Sequence, residues 1–261
     1  MRLGAFLLMV VTMAGQVGAA NVEAAVKTKE VAYKIGDLQL QGVAAWDDAA
    51  KGPRPLVVLY HEWWGLGPNV RKRAEMLAAK GYVAFAADMY GKGVIAKDHD
   101  EAAKLAGAQF GDRKLMRQRA LAGLEAGKTL PQVDLKRIAA IGYCFGGTSV
   151  LELARMGVDI RGVASFHGNL TGPVPATAKP AAKILVLHGA SDNFVNPAVP
   201  GFLEEMGKVS ADFEFVSYGG AVHSFTVEQA GDDPKKGMAY NKQADERSWA
   251  RMLAFFDEIF R

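Results

Sequence analysis

Only one cysteine, Cys144, stands among the 261 residues, so no disulfide can form within the chain and its stability must come from packing. Charge of one sign is also scarce: 31 Lys and Arg against 28 Asp and Glu leave a net charge of +3. So small an excess argues against a nucleic-acid partner. The apolar stretch Ala5-Phe6-Leu7-Leu8-Met9-Val10-Val11 is too short for a membrane span, which takes roughly 20 residues. There is no internal repeat and no low-complexity segment, which leaves an ordinary globular chain of a size suited to one large domain.

That short apolar stretch follows Met1 and Arg2 and runs out in the small residues Gly18, Ala19 and Ala20, the layout of a secretory signal peptide. Residues 1–20 are therefore expected to be a leader cleaved after Ala19 or Ala20, with 21–261 forming a single domain. The protein is expected to be periplasmic or secreted. No cysteine follows the leader to accept a lipid, so no stable membrane anchor is expected after processing; an uncleaved N-terminal anchor is the competing arrangement.

Beyond the leader the pattern alternates between strands and helices. Val31–Ile35 and Leu38–Val43 flank Gly36-Asp37 as an antiparallel hairpin would. Leu56–Tyr60 is a continuous apolar run, the mark of a strand buried on both faces of a parallel sheet. Further strands are predicted at 82–87, 137–141, 162–166, 183–188 and 213–218. Helices are predicted at about 69–80, within 99–124, after 144 to 156, and at about 198–208. A last helix carries Trp249, Met252, Leu253, Phe256, Ile259 and Phe260 at helical spacing. This order predicts an α/β fold with a mostly parallel central sheet, helices on both faces and an N-terminal antiparallel hairpin.

Between a strand and a helix lies Ile141-Gly142-Tyr143-Cys144-Phe145-Gly146-Gly147. Glycines two before and two after a central residue suit a nucleophile elbow, the sharp strand-to-helix turn that exposes one reactive side chain above a sheet. A free cysteine is also commonly a small buried hydrophobe, so the elbow needs an acid and then a base further along the chain. Asp192 follows the strand ending at His188, and His223 lies in a glycine-rich loop after the strand ending at Tyr218. Both fall beyond strand ends, where open α/β sheets place their sites; an aspartate in such a loop is alternatively only a cap. In the catalytic reading Cys144 is the nucleophile, His223 takes its proton, and Asp192 fixes the imidazole. The amides of Phe145 and Trp63 are then the candidates for holding the developing oxyanion. Trp63, Trp64, Tyr90 and Phe145 are candidates for an apolar pocket.

From Leu56 to the C-terminus these motifs resemble the dienelactone hydrolases (carboxymethylenebutenolidases) of the α/β-hydrolase fold. The resemblance is carried by the Glu62 loop, Gly81–Ala84 through Asp88-Met89-Tyr90, the Cys144 elbow, Gly189–Asp192 and His223-Ser224-Phe225. It implies a Cys144–His223–Asp192 triad and a role for Glu62 in holding and then deprotonating the cysteine. It also places the two substrate-carboxylate arginines of that family at Lys92 and Val227, so charge recognition is expected to be weak. The implied function is hydrolysis of an ester or lactone by a monomer acting on small molecules, with no metal or organic cofactor; Lys92, Trp64 and Tyr90 are its substrate-binding candidates. Two alternatives stand beside it: a thioesterase or broad carboxylesterase with the same triad, and a catalytically silent binding or redox-responsive protein with an exposed cysteine.

Overall fold

The computed structural model describes residues 25–261; the leader expected at 1–20 lies outside the described residues. Eight strands form one sheet in the order β1-β2-β4-β3-β5-β6-β7-β8. The antiparallel pairs are β1 (Val26–Ile35) with β2 (Leu38–Asp47), and β2 with β4 (Val83–Ala87). Every other neighbour is parallel: β3 (Arg54–Tyr60), β5 (Val133–Tyr143), β6 (Gly162–Phe166), β7 (Lys183–Gly189) and β8 (Phe213–Tyr218). The predicted architecture is the observed one.

Side chains of a strand alternate between faces, so a strand buried on both must be apolar throughout. Leu56, Val58 and Tyr60 of β3 enter one apolar cluster, and Val57 and Leu59 enter another. The first cluster takes in α2 (His99–Gly111), α3 (Arg113–Lys128), α4 (Phe145–Arg155) and α5 (Val199–Lys208) through Ala106, Leu124, Leu153 and Phe202. The second takes in α1 (Pro68–Ala78) through Val70, Ala74 and Leu77, and α6 (Lys242–Ile259) through Met252, Phe256 and Ile259. Each such Val, Leu, Ile, Met or Phe side chain contributes about 1.5–3 kcal/mol through burial. Among the described residues no helix is long and apolar enough to cross a membrane.

Boundaries moved where partners, not local pattern, decide them. The hairpin runs to Val26 and Asp47 because all ten residues of β1 pair with β2, including its polar outer half. The helical stretch around 99–124 is two helices, because Asp112 ends α2 and its carboxylate accepts the Leu115 amide at 3.0 Å to begin α3.

The charged pairs that hold α4 are buried. Glu152 accepts from Arg117 at 2.7 Å and from Arg155 at 3.2 Å, and Arg155 continues to Glu205 of α5 at 2.8 Å. A buried charge left without a partner is costly, so this chain of pairs restricts how α4 can shift. The residue before that helix is Cys144.

Candidate active site

β5 delivers the chain to Cys144, whose backbone sits at φ 53° and ψ −112°, a conformation that strains a residue carrying a side chain. The turn closes because residues 142 and 146 are glycines. A Cβ on Gly142 would lie 2.0 Å from the Gly146 carbonyl oxygen, and one on Gly146 would lie 2.1 Å from that of Tyr60. The Cys144 amide donates to Phe166 O at 3.0 Å, which ties the elbow to β6. Phe145 opens α4, so its amide has no intrahelical acceptor. Among the described residues neither the Phe145 nor the Trp63 amide donates to a protein acceptor.

Asp192, fully buried just beyond β7, divides its carboxylate between two tasks. One oxygen caps the local turn by accepting from the Phe194 and Val195 amides at 3.1 and 3.2 Å; the other accepts from His223 Nδ1 at 2.7 Å. One carboxylate thus both caps the turn and bonds the imidazole. His223, in the loop after β8, turns its Nε2 to within 3.1 Å of the Cys144 sulfur. Its backbone is fixed as well: its amide donates to Gly237 O at 3.2 Å and its carbonyl accepts from Ala239 at 3.1 Å.

Burial opposes charging the His223 imidazole, yet the Cys144 sulfur and the hydrogen bond to Asp192 outweigh it and push the group from 6.5 up to about 10. His167, at φ 40°, packs its ring 5.2 Å from that of His223 and bonds Thr226 Oγ1 at 2.8 Å. Burial, joined by the charge of His223, holds His167 well below the ordinary imidazole range, so it packs against His223 as a neutral ring.

Glu62 is buried, and burial raises its carboxyl above the usual range; the Asn69 side-chain amide and the charge of Arg73 work in the opposite direction. It does not cap α1, whose N-cap is Gly67 with no side-chain cap bond. The loop that carries it is set by His61, which reaches the Glu62 carbonyl through Nδ1 and accepts the Met89 amide on Nε2 at 3.1 Å.

Cys144, Glu62, Trp63, Trp64, His99 and Ser224 line a cavity of about 310 Å³. His99 lies edge-on to both indoles, at ring separations of 5.7 Å from Trp63 and 5.0 Å from Trp64. The rest of its lining is Val227, Gln229, Ala230, Lys236 and Met238. Two substrate-binding candidates are not brought here. The Lys92 amide is bound to Gln39 O at 2.9 Å, which turns that segment toward the hairpin; its side chain lines a separate hollow with Arg71 and Asp88. Tyr90 is 5 % exposed and stands behind the wall, where its hydroxyl donates to Trp63 O at 3.0 Å and its ring packs on His61 and Phe145. It anchors the loop and does not face the cavity.

His99, Gln229, Lys236 and Met238 are wall residues that sequence reading missed. His99 gave no signal in its charged run, and the 228–240 segment carries only the marks of a surface loop. Among the described residues no group of three or more His, Cys, Asp or Glu is placed to hold a metal ion.

Residues 40–260 match the sequence profile of the dienelactone hydrolase family. A solved structure named m3DLH is 38 % identical and superposes with a TM-score of 0.86, covering 90 % of this chain and 99 % of its own. The dienelactone hydrolase-like promiscuous phosphotriesterase P91, from metagenomic libraries, is 36 % identical with a TM-score of 0.85 and the same coverage of 90 % and 99 %. An uncharacterized Caenorhabditis elegans protein, K02A2.1, is 39 % identical over 149 residues, which are 56 % of this chain and 94 % of that protein.

Proposed function

Given that the chain belongs to the dienelactone hydrolase family, and so is a hydrolase of lactone or ester bonds, we propose that it works through a Cys144–His223–Asp192 triad. The observation that carries this reading is the unbroken line from the sulfur to His223 Nε2 at 3.1 Å and from His223 Nδ1 to Asp192 at 2.7 Å. Thiolate is the nucleophilic form, and an imidazole lifted to about 10 is placed to hold the proton that the thiol gives up.

The thiolate attacks the acyl carbon, and the carbonyl electron pair moves to oxygen, within reach of the Trp63 and Phe145 amides. When the tetrahedral species collapses, the C–O bond breaks and imidazolium gives its proton to the departing alkoxide. A lactone opens with both ends still in one molecule. Water, deprotonated by the now neutral His223, then attacks the thioester and releases the acid, restoring the pair. His61, His167 and Tyr90 position the parts and touch no reacting atom. A phosphate triester presents an electrophilic phosphorus to the same thiolate, so the activity named for P91 is a second reaction worth assaying.

The test is the pH profile for a chromogenic aryl ester. His223 has a folded value above its unfolded one, so the stabilisation of its charged form is complete below about 6.5 and is lost as pH rises through about 10. Wild-type kcat/KM should therefore hold to about pH 10. In Asp192→Asn, which loses one cause of that elevation, the alkaline limb should move down by a pH unit or more and kcat should fall about a hundredfold. An unmoved limb would remove Asp192 from the triad.

Glu62 is proposed as the residue that governs the proton on Cys144, since it faces the same cavity. An ionised carboxylate there repels thiolate, and one lifted by burial accepts a proton more readily than an exposed glutamate. Glu62→Gln should lower turnover by about a hundredfold while iodoacetamide alkylates Cys144 of the free enzyme faster at neutral pH. Slower alkylation than in wild type would refute this role.

A further inference from the structure

We propose that Lys236 is the specificity-determining cation of the catalytic cavity, favouring esters and lactones with an anionic group remote from the scissile carbonyl. This rests on the reading of Cys144 as nucleophile and goes beyond it, because neither position at which family resemblance sought a cation supplies one. Lys92 points into another hollow, and Val227 puts an apolar side chain into the cavity wall.

Lys236 lines the same cavity as Val227, nine residues further along the chain. It closes the helical turn Pro234–Lys236, and the next residue, Gly237, accepts the His223 amide at 3.2 Å. Ala239 returns a bond to the His223 carbonyl at 3.1 Å, so the backbone that presents the lysine is laced to the catalytic base on both sides of Met238. The position of the cation is thus coupled to that of the chemistry.

The charge inventory leaves Lys236 available. Among the described residues it makes no ion pair and no side-chain hydrogen bond. Of the acids near it in sequence, Asp233 accepts the Lys235 amide at 3.1 Å, Glu228 bonds Lys72 at 3.0 Å, and exposed Asp232 makes no ion pair with Lys236. Glu62, the carboxyl on the cavity wall, takes its hydrogen bond from Asn69 and has Arg73 nearby. Thiolate and imidazolium cancel, and the one remaining charge of the triad, on buried Asp192, is held by His223 and by the Phe194 and Val195 amides; the rest of the wall near Lys236 is apolar or neutral, with Ala230, Met238 and Gln229. A substrate carboxylate or other anion entering with its ester at Cys144 meets one unpaired ammonium there. Lysine binds it as a point charge without a fixed bidentate geometry, so the preference is for charge over shape. The ammonium is exposed, so the preference is about threefold to fivefold and screened by salt.

The test compares two 4-nitrophenyl esters of matched length, the anionic adipate half-ester and its neutral methyl-ketone isostere, the 6-oxoheptanoate. The quantity read is the ratio of their kcat/KM values within each variant, which cancels losses common to both. Wild type should favour the anion about threefold to fivefold at low salt and approach unity at about 0.5 M salt. Lys236→Gln should give unity at both, and Lys236→Glu should disfavour the anion; Lys235→Gln, at the exposed neighbour outside the cavity wall, should keep the wild-type ratio. An unchanged ratio in Lys236→Gln and Lys236→Glu overturns the proposal. A wild type that turns over the neutral ester with a ratio of unity overturns it too and leaves the nucleophile standing. A wild type inert toward both esters overturns the nucleophile reading and this proposal with it.

Discussion

Cys144→Ala should lower kcat/KM for an aryl ester by at least about 10⁴-fold, a barrier increase of about 5.5 kcal/mol, and leave thermal stability nearly unchanged. The sulfur is the only atom at the elbow able to attack a carbonyl carbon, and the half-buried side chain serves little packing that alanine would lose. Alkylating wild-type Cys144 with iodoacetamide should give the same loss. Retention of more than about a tenth of wild-type turnover by the alanine variant, a loss under 1.4 kcal/mol, would show that another group does the chemistry. Circular dichroism and a melting curve taken beside the assay separate chemical loss from unfolding.

Gly146→Ala should abolish folding or lower stability by more than about 3 kcal/mol, an effect of a different kind. Its added methyl would stand 2.1 Å from Tyr60 O, 2.4 Å from Tyr60 C and 2.8 Å from His61 O, all of them backbone atoms. No rotamer change relieves such a contact; β3 or α4 must move. Tyr60 is itself fully buried, its hydroxyl donating to Ala120 O at 2.6 Å, so β3 has little freedom to retreat. Survivors should have lost activity with stability, because the same shift displaces the Trp63 loop from the elbow. A variant with wild-type melting behaviour would mean that the close approach of helix and strand is not required. The adjacent Gly147, whose Cβ would meet backbone at 2.8 Å, should be less sensitive.

These glycines also show why the elbow was legible in the sequence. Positions 142 and 146 are restricted by contact with backbone, so residue type alone reports the geometry. Asp192 and His223 were legible through order, since each lies just past a strand whose apolar run is easily seen. The sheet was legible because strands buried on both faces cannot hide their composition. The cavity wall was not. His99 meets Trp63 and Trp64 across 35 or more positions of chain, and Lys236 arrives by a backbone bridge to His223 that no periodicity encodes. Lys92 lines another hollow because a resemblance assigns a position and not a direction, which here follows from the bond to Gln39 O. The hairpin was underestimated because its outer half is polar and is held by pairing alone.

Arg73 of α1 donates at 2.8 Å to Thr226 O, three residues past His223, and at 2.7 Å to Asp245 of α6, joining the start of the domain to its final helix. During translation this clasp is among the last contacts available. Cys144 precedes His223 by 79 residues, a delay of about 4–16 s at ordinary ribosome speeds. Throughout that interval the nascent chain carries an unassisted thiol. The proposed pair is therefore a property of the finished chain, and a chain broken off before His223 carries the cysteine without its imidazole.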